Sequence, residues 1–246
     1  YRKWMSRYAE MTRLERWYSR IDATEAVESI SSASKANRER ALTRARARTS
    51  ARLLPRLSSL TEDGRRINPA PPLIIPLRDE SLRSGVMDLA TTYASTISDE
   101  LRYLMSGYEV CDIALKVVGV GSVGTRCLIV LLTGASDDDV LFLQVKEAGD
   151  SALRPHLPPS RYPHNGQRVV CGQRLVQAAG DPFLGWASAV GREFYVRQLH
   201  DMKGSIDLTR LTPDSLDEYG ALCGWALSRA HARSGDPVVI AGYLDD

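Results

Sequence analysis

The chain has 246 residues, of which 43% are hydrophobic and 25% charged, and 32 basic against 30 acidic side chains give a net charge of +2. This composition is typical of a globular protein, and it excludes a collagen-like chain, a disulfide-rich miniprotein and a wholly disordered chain. The four cysteines form no C-x-x-C pair and have no histidines at ligand spacing, which argues against a metal site of the zinc type.

The cellular setting is suggested by what the sequence lacks. No run of 18 apolar residues is long enough to span a bilayer. Isolated cysteines are typical of a reducing compartment, so we expect a cytoplasmic protein. The sequence starts at Tyr1 rather than at a methionine and shows no signal core, from which we expect a fragment of a longer chain.

The N-terminal third is predicted to be mainly helical. Apolar residues at steps of three and four predict an amphipathic helix over residues 3–20, and a second helix is predicted from about Thr24 to Leu54, ending before Pro55. Four arginines repeat on one face of the second helix: Arg40, Arg44, Arg48 and Arg52. They are compatible with contact to a nucleic-acid backbone. A solvated helix is favoured instead, because no aromatic residue interleaves the arginines to stack on bases.

The next elements are a turn at residues 61–64, extended proline-rich backbone at a sheet edge over residues 71–76, and a helix over residues 80–105. One apolar face is predicted for that helix, comprising Val86, Leu89, Tyr93, Ile97, Leu101 and Leu104. Strands are predicted over residues 113–118, 127–132, 140–145 and 193–199, with an acidic turn at 134–139. Helices are predicted over residues 165–179 and from Pro213 to about Ala232.

A glycine-rich motif, G-x-G-x-x-G, lies between the first two of these strands. It comprises Gly119, Gly121 and Gly124, with Ser122 inside it. In a dinucleotide-binding fold such a turn would lead into a helix, but the residues that follow are typical of a strand. The motif therefore predicts a hairpin, which is the arrangement in which kinases cover the nucleotide phosphates.

A kinase also needs a lysine on the next strand, and Lys146 lies there, 22 residues after Gly124. A strand-end lysine that reaches water is the alternative interpretation. Kinases pair this lysine with a glutamate on the following helix, but that helix offers only Gln167, Gln173 and Gln177. Glu147 is adjacent in sequence and is expected on the opposite face of the strand.

Three further positions are candidates for a nucleotide or catalytic role. The backbone of Gln198 and Leu199 is the candidate for contact with adenine, although an ordinary strand end fits the residues equally well. His231 and Asp236 are weak candidates for catalysis. The alternative for His231 is packing at the end of a helix, and the alternative for Asp236 is a place in a turn. No D-F-G stretch or Asn follows Asp236, so the sequence shows no identifiable catalytic or metal-binding loop.

Several ordered stretches resemble the bacterial DUF2252 family. They include residues 117–127, 143–148, 166–170, 172–174, 183–186, 195–199, 201–205 and 230–236. The family is uncharacterised, and it is similar to protein-kinase-like and aminoglycoside-phosphotransferase-like folds. In complete members a G-D-x-H-x-x-N-F-G stretch and a D-F-D stretch precede the glycine-rich loop, as in a kinase of permuted order, and neither occurs here.

The resemblance implies an α+β, protein-kinase-like fold with an antiparallel N-lobe-like sheet, a glycine-rich hairpin and flanking helices. The implied segments are a mainly helical region at 1–107, a nucleotide-binding sheet and helix at 108–203, and the start of a helical C-lobe at 204–246. ATP and Mg²⁺ are the implied cofactors, and phosphoryl transfer to an unidentified acceptor is the implied reaction. The alternatives are a non-catalytic binding module on the same fold and nucleic-acid contact through the arginine helix.

Overall fold

The computed structural model describes residues 1–22, 43, 50–117, 124–199 and 211–245, apart from the side chains of 50–53 and 80–83. These residues form an α+β structure with eight α-helices and two antiparallel sheets. No helix in the described ranges combines the length and the apolar character needed to cross a membrane.

The chain divides into two compact units. One unit comprises Tyr1–Ala47, Gly172–Gly180 and Met202–Asp246, and the other comprises Arg48–Cys171 and Asp181–Asp201. The first is called the helical unit below and the second the sheet unit. Residues of the predicted segment 1–107 occur in both units, and the three-segment division stays a prediction.

The sheet unit contains a two-stranded and a six-stranded antiparallel sheet. The strands are β1 Ser58–Thr61, β2 Gly64–Ile67, β3 Ile74–Pro76, β4 Glu109–Lys116, β5 Cys127–Thr133, β6 Val140–Glu147, β7 Gly185–Ala189 and β8 Arg192–Gln198. β1 pairs with β2, and the six-stranded sheet has the order β3-β4-β5-β6-β8-β7. The proline-containing strand β3 lies at its edge, as predicted, where a missing N–H costs no ladder bond.

Two helices cover one face of the large sheet. They are α4, Glu80–Ala94, and α5, Asp99–Met105, so the helix predicted over 80–105 is interrupted. The interruption is stabilised by Thr96, whose hydroxyl donates to the Trp186 carbonyl (3.1 Å) and accepts from the Trp186 amide (3.0 Å). Most of the predicted apolar face is buried in this core, but Leu104 is exposed.

The opposite face of the sheet is partly covered by helix α3, Ser50–Leu57, and by the β1–β2 hairpin. The predicted helix end before Pro55 is wrong, since α3 continues to Leu57. A proline removes one helical hydrogen bond, and the burial of Leu57 against this core offsets that loss. Asp112 of β4 fixes the hairpin through its carboxylate, which accepts from the Ile67 amide at 2.8 Å.

Helices from both ends of the sequence form the helical unit. Its helices are α1 Arg2–Glu10, α2 Arg13–Tyr18, α7 Pro213–Ser234 and α8 Pro237–Asp245. Trp4 stacks on Trp225 with ring centroids 4.3 Å apart, and the Trp225 indole donates to the Tyr8 hydroxyl at 3.0 Å. Met5 is fully buried in the same core.

Two sequence predictions are corrected in this unit. The helix predicted over residues 3–20 breaks after Glu10, because Thr12 starts a new helix through a capping box with Glu15. Helix α8 was not predicted from the sequence, whereas the helix that begins at Pro213 is confirmed. Helix α6, Asn165–Val176, which lies partly in each unit, is also confirmed.

Candidate functional site

The glycine-rich motif joins two paired strands of the sheet. β4 and β5 are antiparallel neighbours, which confirms the predicted hairpin and excludes the strand-to-helix turn of a dinucleotide-binding fold. Gly124 adopts a φ of +79°, a conformation that favours glycine. Gly119, Gly121 and Ser122 lie outside the described residues.

Lys146 lies on β6, next to this hairpin. It is directly opposite Cys127 of β5 and Tyr195 of β8, so the three side chains share one face of the sheet at the end where the glycine motif joins it. Lys146 is half-buried, and its Nζ atom is 5.9 Å from the centre of the Tyr195 ring. Lys146 thus lies at the end of the sheet where the glycine motif connects β4 and β5, and its role in nucleotide binding stays a prediction.

Two more cations share this face, and sequence reasoning missed both. Lys116 ends β4, where burial lowers the pKa of its ammonium group. Arg197 of β8 is opposite Gln144, two residues before Lys146 on the same strand. Lys116, Lys146 and Arg197 are called the cationic face below. Alternate residues of a strand face the same side, so the sequence alone places Gln144 on the same face as Lys146. To place Arg197 on that face required the register between β6 and β8.

The groups around the cationic face compensate its charge only in part. The Arg197 Nε atom is buried and has no hydrogen-bond partner, and it lies 3.9 Å from the Asp181 carboxylate. The Cys127 sulfur accepts from the Gln144 amide at 3.5 Å. Burial raises the pKa of the Cys127 thiol, although the charges of Lys146 and Lys116 act in the opposite direction. The face therefore offers positive charge beside a thiol that stays protonated at neutral pH.

Helix α6 begins against the same side of the sheet. The Asn165 amide donates to the Glu193 carboxylate at 2.8 Å, and Glu193 is two residues from Tyr195 on β8. His164 makes a 3.1 Å hydrogen bond with the Ser188 hydroxyl of β7. The helix contains no acidic residue. Hydrogen bonding of Lys146 by Gln167, Gln173 or Gln177 stays a prediction.

Glu147 has partners other than Lys146. Its carboxylate accepts from the Arg126 amide at 3.0 Å and pairs with Arg192 at 2.5 Å. Burial acts to raise the pKa of Glu147, but the hydrogen bonds from Arg126 and Arg192 outweigh it and lower the pKa overall. The prediction that Glu147 faces away from Lys146 is consistent with these contacts.

The backbone N–H groups considered for adenine contact are already bonded within the chain. The Gln198 amide donates to the Asp181 carboxylate at 2.7 Å, and the Leu199 amide donates to the Phe142 carbonyl at 2.9 Å. Adenine contact by these residues stays a prediction, and it would have to use carbonyl oxygens.

His231 and Asp236 both have structural partners in the helical unit. The His231 Nδ1 atom is 2.7 Å from the Tyr1 hydroxyl, in the last turn of α7. The Asp236 carboxylate accepts from the amides of Val238 (2.9 Å) and Val239 (3.3 Å), which caps α8. These contacts fit the structural alternatives for both residues, and a catalytic role for either stays a prediction.

The remaining predicted sites concern the arginine helix and metal ions. Arg40, Arg44 and Arg48 lie outside the described residues, and Arg52 is described only by its backbone in α3. Among the described residues, no group of three His, Cys, Asp or Glu side chains is arranged to hold a metal ion.

Comparison with protein families gives a match over the whole chain. The model of a family described as "Uncharacterized protein conserved in bacteria (DUF2252)" matches residues 1–246. No curated protein and no solved structure matches the chain.

Proposed function

The chain belongs to the DUF2252 family, and from this premise we propose that its sheet unit binds ATP in a kinase-like manner. The proposed reaction of the complete protein is transfer of the γ-phosphoryl group to an unidentified acceptor. The observation that carries the proposal is the position of Lys146. It lies on the strand next to the glycine-rich hairpin and faces the same side of the sheet as Cys127 and Tyr195.

The order of the elements supports this proposal. A glycine-containing hairpin is followed by a strand that bears a half-buried lysine, and that strand is followed by a helix that begins against the same face. Protein kinases use this succession to cover the nucleotide phosphates and to pair them with a lysine. The kinase-like fold is part of the proposal.

The described residues fit the phosphates of a nucleotide by charge. The cationic face gathers two lysines and an arginine, and Arg197 retains a buried N–H without a hydrogen-bond partner. The negative charge of a triphosphate would be attracted to these three cations. Lys146 would bind the phosphates, and the backbone of Gly119, Gly121, Ser122 and Gly124 would cover them, since glycine lets the backbone approach closely.

Magnesium fits the described residues less well. Mg²⁺ takes oxygen ligands, usually one or two carboxylates together with nucleotide phosphates and water. The described residues provide no group of acidic or histidine ligands for it. We therefore assign it no protein ligand. Asp236 is assigned no role as a base, because it caps α8.

The proposal is tested by calorimetric titration of the complete protein with ATP and Mg²⁺. We expect Lys146→Ala to weaken ATP binding at least about tenfold, or roughly 1.4 kcal/mol, because it removes the charge that pairs with the phosphates. The matched control is Lys3→Ala, which removes an exposed lysine from α1. Equal ATP affinity in the wild type and in a folded Lys146→Ala variant would contradict the proposal.

A second candidate function is a non-catalytic nucleotide- or ligand-binding module on the same fold. It is favoured by the absence of an acidic residue from α6 and by the internal partners of the Gln198 and Leu199 amides. ATP binding without hydrolysis or phosphorylation of any acceptor would support this function. Release of labelled phosphate that depends on Lys146 would support the phosphotransferase instead.

Nucleic-acid contact through Arg40, Arg44, Arg48 and Arg52 is a third and separate hypothesis. It rests on the sequence alone, and it predicts binding that falls steeply as salt concentration rises. Binding that is unchanged after neutralisation of the four arginines would refute it.

A further inference from the structure

A second cluster of cations lies in the helical unit and lines a cavity. The cavity has a volume of about 250 Å³. Its principal lining residues are Trp17, Tyr18, Arg20, Arg174, Gln177 and Arg233. None of the lining residues that the structure describes is acidic. We call it the arginine cavity.

Arg233 is the central cation of the arginine cavity. Its guanidinium carbon lies 4.1 Å from the centre of the Trp17 ring, so the guanidinium plane is held by a cation–π contact. Its Nε atom is buried and has no hydrogen-bond partner. Within the described residues no carboxylate forms an ion pair with Arg233. What Arg233 offers a ligand is therefore its charge, which no carboxylate of the described residues pairs and which favours an anion.

Arg229 lies one helical turn before Arg233 and fixes the walls of the cavity. It donates to the Ser19 carbonyl at 3.1 Å and to the Val176 carbonyl at 2.9 Å. Ser19 is adjacent to the lining residues Tyr18 and Arg20, and Val176 is adjacent to Gln177. Carbonyl oxygens satisfy N–H groups without neutralising the charge, so the positive charge of Arg229 adds to that of the cavity.

The electrostatic state of the two arginines agrees with this arrangement. Burial lowers the pKa of Arg229 and of Arg233, and the charge of Arg229 lowers the pKa of Arg233 further. Both guanidinium groups nevertheless remain charged at neutral pH, as arginine does in proteins. Arg229 and Arg233 thus bring positive charge to the cavity that no carboxylate of the described residues pairs.

We propose that the arginine cavity binds a phosphate dianion, either as free phosphate or as the phosphoryl group of a small phosphomonoester. Guanidinium groups donate in a planar fork that matches phosphate oxygens, and several of them can bond one tetrahedral anion at the same time. A planar carboxylate has fewer acceptor oxygens and only one charge, so it matches this set of donors less well. The exposed ring of Tyr18 at the cavity provides an apolar surface for the organic part of a monoester.

The test is calorimetric titration of the complete protein with inorganic phosphate at constant ionic strength and without nucleotide. We expect saturable binding that Arg233→Met weakens at least tenfold. Arg20→Gln should weaken it severalfold, and this exposed position is not expected to affect folding. The matched control is Arg7→Met. Arg7 also lies over a tryptophan ring, 5.2 Å from that of Trp4, but outside the cavity, and its removal should leave phosphate affinity unchanged.

Two further anions define the ligand class. Phenyl phosphate that binds more tightly than inorganic phosphate would identify a phosphomonoester as the ligand, whereas equal affinities would identify free phosphate. Acetate that binds as tightly as phosphate would overturn the proposal, as would phosphate affinity unchanged in both Arg233→Met and Arg20→Gln. The absence of saturation up to roughly 10 mM phosphate would also overturn it. Because no nucleotide is present, this result is independent of the ATP proposal.

Discussion

At the scale of single residues, the two cation clusters differ in how their charge is held. The cationic face places Arg197 3.9 Å from Asp181, so one carboxylate of the chain partly compensates it. In the arginine cavity, the hydrogen bonds of Arg229 go to carbonyl oxygens alone. A carbonyl fixes the position of a guanidinium and leaves its full charge available to a ligand. The two clusters therefore differ in whether a carboxylate of the described residues lies beside the arginine.

Glu147 gives a pH-dependent prediction. Its pKa is lowered from the ordinary value of 4.5, because the hydrogen bonds from Arg126 and Arg192 outweigh the opposing effect of burial. A carboxyl with a lowered pKa stabilises the fold above its unfolded pKa, and this contribution is lost as pH falls through the folded pKa. We expect Glu147→Gln to lower the free energy of unfolding at pH 7, with a difference from wild type that is still present at pH 4.5 and decreases as pH falls further, through the lowered folded pKa. Urea unfolding of both proteins at several pH values measures this difference in the free energy of unfolding. A difference that persists at low pH would contradict the prediction.

Val190 gives a prediction about backbone strain. It lies in the turn between β7 and β8 with φ at +51°, next to Gly191 at +67°. Two positive φ angles are typical of a type I′ hairpin turn, which favours Asn followed by Gly and disfavours a β-branched residue. We expect Val190→Asn to increase the free energy of unfolding by about 1 kcal/mol. Val239→Asn, at an equally exposed valine in α8, serves as a control that should not stabilise the protein.

At the scale of elements, helix α6 depends on a close contact with the sheet. A Cβ atom at Gly166 would collide with the Phe194 carbonyl of β8, whereas a Cβ at Gly172 of the same helix would meet nothing within 4 Å. We expect Gly166→Ala to destabilise the protein by roughly 1–3 kcal/mol, since the helix must move away from the strand. Gly172→Ala should instead stabilise it by about 0.5–1 kcal/mol through helix propensity. Thermal unfolding measures the stability of both variants. Equal effects of the two substitutions would show that the contact between Gly166 and the Phe194 carbonyl does not restrict the side chain at position 166.

Local patterns predicted the long elements and missed the short ones. Strands β4, β5 and β6 were found because their apolar runs are continuous, but β1 and β7 are short and contain small or polar residues. The interruptions after Glu10 and Ala94 depend on side-chain hydrogen bonds that no periodicity shows. Lys146 was predicted from its distance to the glycine motif, whereas Arg197 and the arginine cavity depend on register and packing between distant segments.

At the scale of the whole molecule, each unit has its own apolar core, and the chain passes back and forth between the units. We expect Met5→Ala, which creates a cavity in the helical unit, to cost roughly 2–5 kcal/mol there. Hydrogen exchange should show a larger loss of protection in α1 and α7 than in β5. Phe142→Ala in the sheet unit should show the reverse. Equal losses in both units from either variant would indicate a single cooperative core.

The packing of α1 on α7 also has a consequence for how the protein is made. The hydrogen bond between Tyr8 and Trp225 joins residues 217 positions apart. At a synthesis rate of about 5–20 residues per second, roughly 10–40 seconds pass between the translation of the two residues. During that time Met5, Tyr8 and Trp4 have no partner helix, and the nascent chain presents an apolar helix face to the ribosome surface and to chaperones. The helical unit therefore cannot complete its folding until after α7 has left the ribosome.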